Sequence, residues 1–204
     1  MSEEKLDTQV RQEQIAEAAL GLVANYGVRR LSVAAVARRV GLVPSGIYRH
    51  FKSKDRILAA VLDLIEKRML ANVEAAREET SAPLDRLHGV FLRHIRFIRE
   101  GRAIPQIIFS DDVHAGHPEK KERVRQIVGA YLGRIREFVE DGQRQGSIRP
   151  DLDPESVALL FIGMIAPAGI LWHLTDGGFD VTRHASRVWP IFHAAIAPQT
   201  ATSV

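Results

Sequence analysis

Leu31-Ser-Val-Ala-Ala-Val-Ala-Arg-Arg-Val-Gly-Leu-Val-Pro-Ser-Gly-Ile-Tyr-Arg-His-Phe51 reads as two short helices around a tight turn. Val33, Val36, Ala37 and Val40 recur at spacings that place them on one helical face. Ser32 is placed to cap that helix, and Gly41 supplies the left-handed backbone that ends it. Pro44 suits the first turn of the next helix, where its missing N–H is no loss. A short Gly-containing turn between helices of this length is the helix-turn-helix pattern, by which a chain presents one helix to DNA.

The charge around this stretch supports the same reading. The chain of 204 residues carries a net charge of only +3, but its distribution is uneven. Between residues 29 and 56 stand Arg29, Arg30, Arg38, Arg39, Arg49, Lys52, Lys54 and Arg56 against Asp55 alone. A solvated face is the ordinary meaning of a charge run; here the run coincides with the helix pair, which favours phosphate binding. The absence of cysteine excludes disulfides and thiolate metal sites. Ser2-Glu3-Glu4-Lys5-Leu6-Asp7 has neither a basic start nor an apolar run, so no signal peptide is expected, and the protein should stay in the cytoplasm, associated with the nucleoid.

Every segment with a clear period has the helical one, which predicts an all-α chain of about nine helices. The first should run from about Thr8 to Tyr26, with Ile15, Ala19, Leu22 and Val23 inward. The second and third cover about 32–39 and 44–51. Ser53 caps a long fourth helix with the buried stripe Ile57, Leu58, Val61, Leu62, Ile65 and Met69. No linker precedes it, so movement behind the motif is passed directly to the third helix. Ser81-Ala-Pro83 leads into a fifth helix striped with Leu84, Leu87, Phe91, Ile95 and Ile98, and a short sixth is expected from about Ile104 to Ser110. Pro118 opens the seventh, with Val124, Ile127, Val128, Tyr131, Ile135, Phe138 and Val139 inward, Asp153 and Pro154 open the eighth, and the ninth runs from about Thr182 to Ala197. Residues 157–172 in the eighth contain no charged or amide side chain. A helix apolar all round is buried all round. A membrane span needs about 20 such residues; this run is shorter and interrupted by Pro167 and two glycines, so the eighth and ninth helices are expected to pair with a second copy instead.

These features resemble the TetR (tetracycline-repressor-like) family of bacterial transcription regulators. The resemblance is carried by Ala-Leu-Gly-Leu-Val-Ala-Asn-Tyr-Gly (19–27), by Val36-Ala37 followed by Gly41, and above all by Gly46-Ile-Tyr-Arg-His-Phe-Lys-Ser-Lys-Asp55. Gly146-Ser-Ile-Arg-Pro-Asp-Leu-Asp153 looks like the family's lead into its dimerisation helices. The resemblance implies a three-helix DNA-binding domain (1–52) continuous with a six-helix effector-binding and dimerisation domain (53–204). It also implies a homodimer, and a repressor released from a palindromic double-stranded operator by a small molecule. Ser32, Val43, Pro44, Ser45, Gly46, Tyr48, Arg49, His50 and Lys54 then become the candidate DNA contacts. Tyr48 matches the family's Tyr at a phosphate or the groove floor, and Lys54 its phosphate-binding Lys. Arg49 suits bidentate reading of guanine, and His50 a phosphate, with the reverse open. Phe51 is a core anchor. Val43 departs from the family's Ser or Thr and cannot cap the third helix, so either that start is loosely fixed or Val43 meets a thymine methyl.

Candidates for lining an effector site are His94, Phe97, Phe109, Tyr131, Met164, Trp172 and His173, although aromatics at helical spacing are ordinarily core. Few acidic side chains stand on the fifth and eighth stripes, which disfavours a cationic effector and favours an aromatic, lipid-like or carboxylated one. His114-Ala-Gly-His117 with Asp111 and Asp112 is a conceivable weak divalent site, but the spacing lacks that of a zinc helix, so neither metal nor cofactor is expected. No phosphate loop, nucleophile elbow or nucleophile–base pair is present, so no enzyme is expected. The alternative is an architectural or cell-division DNA-binding protein of the same fold without an effector.

Overall fold

The computed structural model describes residues 3–100, Ser110 and residues 118–198. Those residues form eight α-helices and one 3-10 turn, with no strand among them. In chain order they are α1 (Glu3–Tyr26), the turn Val28–Arg30, α2 (Val33–Arg39), α3 (Pro44–His50), α4 (Lys54–Glu79), α5 (Pro83–Arg99), α6 (Pro118–Arg144), α7 (Pro154–Leu174) and α8 (Val181–Ile196). The all-α expectation is met. The short helix expected from Ile104, and the loop holding His114 and His117, lie outside the described residues. Helix α1 starts earlier than Thr8, because nothing ahead of it supplies a glycine or proline to stop the helix.

The chain divides into two compact units. Among the described residues, one takes in α1 to α3, α4 through Arg68 and α6 through Arg125; the other holds Met69–Glu100 and the chain from Gln126 onward. In the first unit, α1, α2 and α3 pack mutually. Ile15, Ala19, Val23, Val36, Ile47, Ile57 and Val61 are fully buried there, and Phe51 nearly so, as an anchor rather than a contact. Burying one such aliphatic side chain contributes about 1.5–3 kcal/mol relative to leaving it exposed. Arg123 of α6 donates to Asp63 of α4 at 2.7 Å and also pairs with Glu66, while Lys120 reaches Asp55 at 2.6 Å. These partly exposed pairs join α4 to α6 within this unit and, being screened by solvent, add little stability.

In the second unit α5 packs on α7 and α8, and α7 on α8. The expected stripes of α5 and α6 are buried at Leu87, Phe91, Ile95, Ile98, Ile127, Tyr131, Ile135, Phe138 and Val139. Phe91 meets Phe161 edge-on at 6.2 Å, Phe161 meets Phe192 at 5.8 Å, and Trp189 stacks on His88 at 4.5 Å. Asp153 caps α7 by accepting from Ser156 N–H at 2.9 Å, as its place before Pro154 predicts. By length and composition α7 is apolar enough to cross a membrane, and it runs unbroken through Pro167. Val157, Ala158, Phe161, Met164, Ile165 and Ala168 bury one side of it, while Leu159, Leu160, Ile170, Leu171 and Leu174 are exposed.

Candidate nucleic-acid interface and interior site

Two unlike helix starts build the candidate DNA face. Ser32 is extended, and its Oγ accepts from Ala35 N–H at 3.1 Å, which caps α2. The far end of α2 closes on Gly41, whose φ of 69° only glycine adopts freely. Leu42 N–H donates to Ala37 O at 2.9 Å and Gly41 N–H to Arg38 O at 3.4 Å, the paired bonds of a Schellman ending. Val43 then precedes α3 with no side-chain cap, and Pro44 opens the helix. The missing hydroxyl read from the sequence is therefore a real gap in the helix start. The Val43 side chain caps none of the α3 amides, and Gly46 N–H donates instead to the Val43 carbonyl at 2.9 Å.

Along α3, Ile47 is fully buried, while Val43 (66%) and Tyr48 (48%) stand exposed, as do Pro44, Ser45 and Arg49. The buried Ile47 fixes which side faces out. Gly46 is half-buried, and a Cβ there would lie 3.6 Å from Leu42 Cβ, an ordinary contact, so packing alone leaves room for alanine. His50 is half-buried, and its buried Nδ1 has no hydrogen-bond partner. Lys54 is half-buried at the first position of α4, whose first turn is capped by Ser53 accepting from Arg56 N–H at 3.2 Å. Ser32 thus stands at the start of α2, Val43 to Gly46 and Tyr48 to His50 before and along α3, and Lys54 at the start of α4.

Two contributors escaped the sequence reading. Gln12 of α1 donates from Nε2 to the His50 carbonyl at 3.4 Å and so ties down the end of α3. Arg39 folds back over Gly21 of α1, where a Cβ would come within 3.2 Å of its guanidinium. No local pattern announces either one, since both partners lie far apart in the chain.

The effector candidates separate into two groups. His94 of α5 and Tyr131 of α6 are brought together, with Nδ1 and Oη 3.1 Å apart and the rings edge-on at 5.7 Å. Burial pulls the His94 pKa down to about 4 and pushes the Tyr131 phenol well above its usual value. The imidazole is therefore neutral at physiological pH. Phe97 and Met164 are buried as well. Trp172 is half-buried and His173 exposed at the end of α7, where the Trp172 ring lies close over Gly177. Phe109 lies outside the described residues. The sequence reading also missed Arg77 and Arg86, whose guanidiniums flank the Phe138 ring at 5.0 and 5.6 Å while pairing with Glu137 and Asp141.

Comparison with known proteins agrees with this architecture. Residues 15–61 match the family model for bacterial regulatory proteins of the tetR family, and residues 80–196 that for the tetracyclin repressor-like C-terminal domain. The Fatty acid metabolism regulator protein of Bacillus subtilis is 21% identical over 183 residues, spanning 90% of this chain and 94% of that protein. The nucleoid occlusion factor SlmA of Vibrio cholerae is 22% identical over 188 residues, spanning 91% of this chain and 95% of its own. Among solved structures, a TetR transcriptional regulator from Chloroflexus aurantiacus superposes with a TM-score of 0.81 at 21% identity, covering 95% of this chain and 99% of its own. The regulator FadR from Bacillus subtilis in complex with stearoyl-CoA gives 0.75 at 22% identity, covering 90% and 98%. With both halves of the molecule matched by the family's models, the chain belongs to the TetR family of bacterial regulatory proteins and is a TetR-type DNA-binding transcriptional regulator.

Proposed function

We propose that this regulator is a repressor that binds a palindromic operator as a homodimer and is released by a small, largely apolar effector. Residues 1–52 form the reading head and residues 53–204 the receiving body. The observation that carries the reading is the exposed run on α3, Tyr48 and Arg49 held outward by the buried Ile47 amid basic neighbours. Two copies of α3 related by a two-fold axis enter successive major grooves when about 34–36 Å apart. The dimer forms through α7 and α8, where Leu159, Leu160, Leu174 and Ile191 stand exposed. The protein acts in the cytoplasm, on the nucleoid.

Within the head, Arg49 reads a base by a bidentate pair, and Tyr48, His50 and Lys54 hold phosphates. Ser32 fixes α2 against the backbone, and Val43, Pro44, Ser45 and Gly46 bring the start of α3 close to it. Within the body, His94, Phe97, Tyr131 and Met164 lie nearest the effector. The fatty acid regulators among the relatives support an acyl or lipid-like molecule.

Selection of bound DNA from a random pool should return a palindrome; its absence would overturn the two-fold dimer. Arg49→Ala should relax preference at one base of each half-site and cost about 1–3 kcal/mol per bidentate pair. Lys54→Ala should weaken all sequences alike and flatten the salt dependence; the reverse pattern would exchange the two roles. The matches to nucleoid occlusion factors favour a second reading, a cell-division DNA-binding protein with no effector. A body that binds no apolar metabolite would select it, because a ligand-gated regulator must bind its effector more tightly off DNA than on it.

A further inference from the structure

Among the described residues the second unit buries no charged side chain. Its interior between α5 and α6 is apolar around one polar couple. Val90, Phe91, Phe97 and Ile98 lie within a turn of His94 along α5, Ile127 and Ile135 within a turn of Tyr131 along α6, and all six are buried. In that setting His94 Nδ1 and Tyr131 Oη hold each other at 3.1 Å. Tyr131 is almost wholly covered, and His94 somewhat less so.

The couple satisfies itself only in part. If the phenolic O–H donates to Nδ1, Nε2–H remains as a donor and an Oη lone pair as an acceptor. If Nδ1–H donates to Oη, the phenolic O–H remains as a donor and Nε2 as an acceptor. Both tautomers therefore offer one donor and one acceptor to a visitor. Neither offers a positive charge, and no described cation is buried to supply one. A carboxylate brought here would lose its water without gaining a counter-charge.

We propose that the His94–Tyr131 couple is the polar anchor of the effector site, and that the effector is an apolar molecule presenting one uncharged oxygen function, a hydroxyl or an ester, thioester or ketone carbonyl. This rests on the effector-gated reading above and narrows its chemistry by setting the free acid aside. The depressed pKa of His94 agrees, since a neutral imidazole is not the cation that a carboxylate requires.

The test is calorimetry on the full chain at pH 7.5 with three probes of equal chain length, 1-decanol, methyl decanoate and decanoate. The alcohol and the ester should bind, with decanoate at least about tenfold weaker, the scale of one hydrogen bond gained against a charge left bare. Tyr131→Phe keeps the ring and removes Oη, so it should weaken decanol by about tenfold in a chain that a cooperative thermal transition shows to be still folded. Decanoate binding as tightly as decanol, an unchanged decanol affinity in folded Tyr131→Phe, or no binding by any probe would each overturn the anchor. A parallel assay on the selected operator separates the two ideas. Alcohol and ester that bind without releasing DNA leave the anchor standing and remove effector gating; decanoate that binds preferentially and releases DNA does the opposite.

Discussion

The stretch from Ser32 to Arg56 and the interior around Tyr131 and Phe138 use their chemistry-bearing side chains in opposite ways. In the first, the distinctive residues stand in water: Val43, Tyr48 and Arg49 project from a helix of seven residues that is held by little more than Ile47 and Phe51. In the second, Tyr131 and Phe138 are buried, and Tyr131 Oη meets His94 Nδ1 inside the protein rather than water. The exposed set makes few contacts that stabilise the fold, so its identity is free to follow a DNA sequence. The buried set is bound into packing, so any recognition it performs is coupled to stability. On this division, substitutions in the head change binding more than folding, and substitutions in the body change both together.

The largest effect should come from Phe138→Ala. The ring is fully buried and flanked by Arg77 and Arg86, and its loss should cost about 3–5 kcal/mol of stability in chemical denaturation. The same variant, assayed while still folded, should keep the parent's base preference; an altered preference would break the division. Next comes pH. Burial holds the His94 pKa at about 4, below its value of about 6.5 in an unfolded chain. Between those values the unfolded chain binds more protons, so the contribution of a neutral His94 is complete above about pH 6.5 and fades as pH falls towards 4. Stability should be about 2 kcal/mol lower at pH 5 than at pH 7 from this residue. His88, whose pKa burial also lowers against the pull of Asp85, adds to the slope, so the comparison needs His94→Gln, which should flatten only its own share.

The head was readable because its signals are local. Ser32, Gly41 and Pro44 punctuate two helices within a dozen residues, and each acts through its own backbone neighbourhood, as the cap on Ala35 N–H and the Schellman ending show. The long stripes of α4, α5 and α6 were readable for the same reason, since helical period alone sorts Ile57 or Phe138 inward. What sequence could not supply were pairings across the chain. Gln12 on the His50 carbonyl, Arg39 over Gly21, Arg123 on Asp63 and Glu66, and Arg77 with Arg86 about Phe138 all join residues that no spacing rule connects. His94 and Tyr131 stood among seven candidates of equal weight until packing brought them within hydrogen-bond distance of each other.

Within the head, α2 and α3 allow a finer comparison, because both have seven residues and both follow an extended residue. Ser32→Ala removes a cap that is made, and should cost about 1 kcal/mol in denaturant titration. Val43→Ser adds a cap that is missing, and should return somewhat less than about 1 kcal/mol, because Pro44 already sets the first turn. Operator affinity then shows why the gap exists. If Val43 only leaves α3 loosely started, Val43→Ser should tighten binding, since a fixed helix loses less freedom on docking. If its 66%-exposed side chain rests on a thymine methyl, the same variant should gain stability yet lose affinity, and lose it only on operators with thymine at that base. A stability gain with no change in affinity on any operator would place Val43 outside the interface, leaving Tyr48 and Arg49 as the residues of α3 that do the reading.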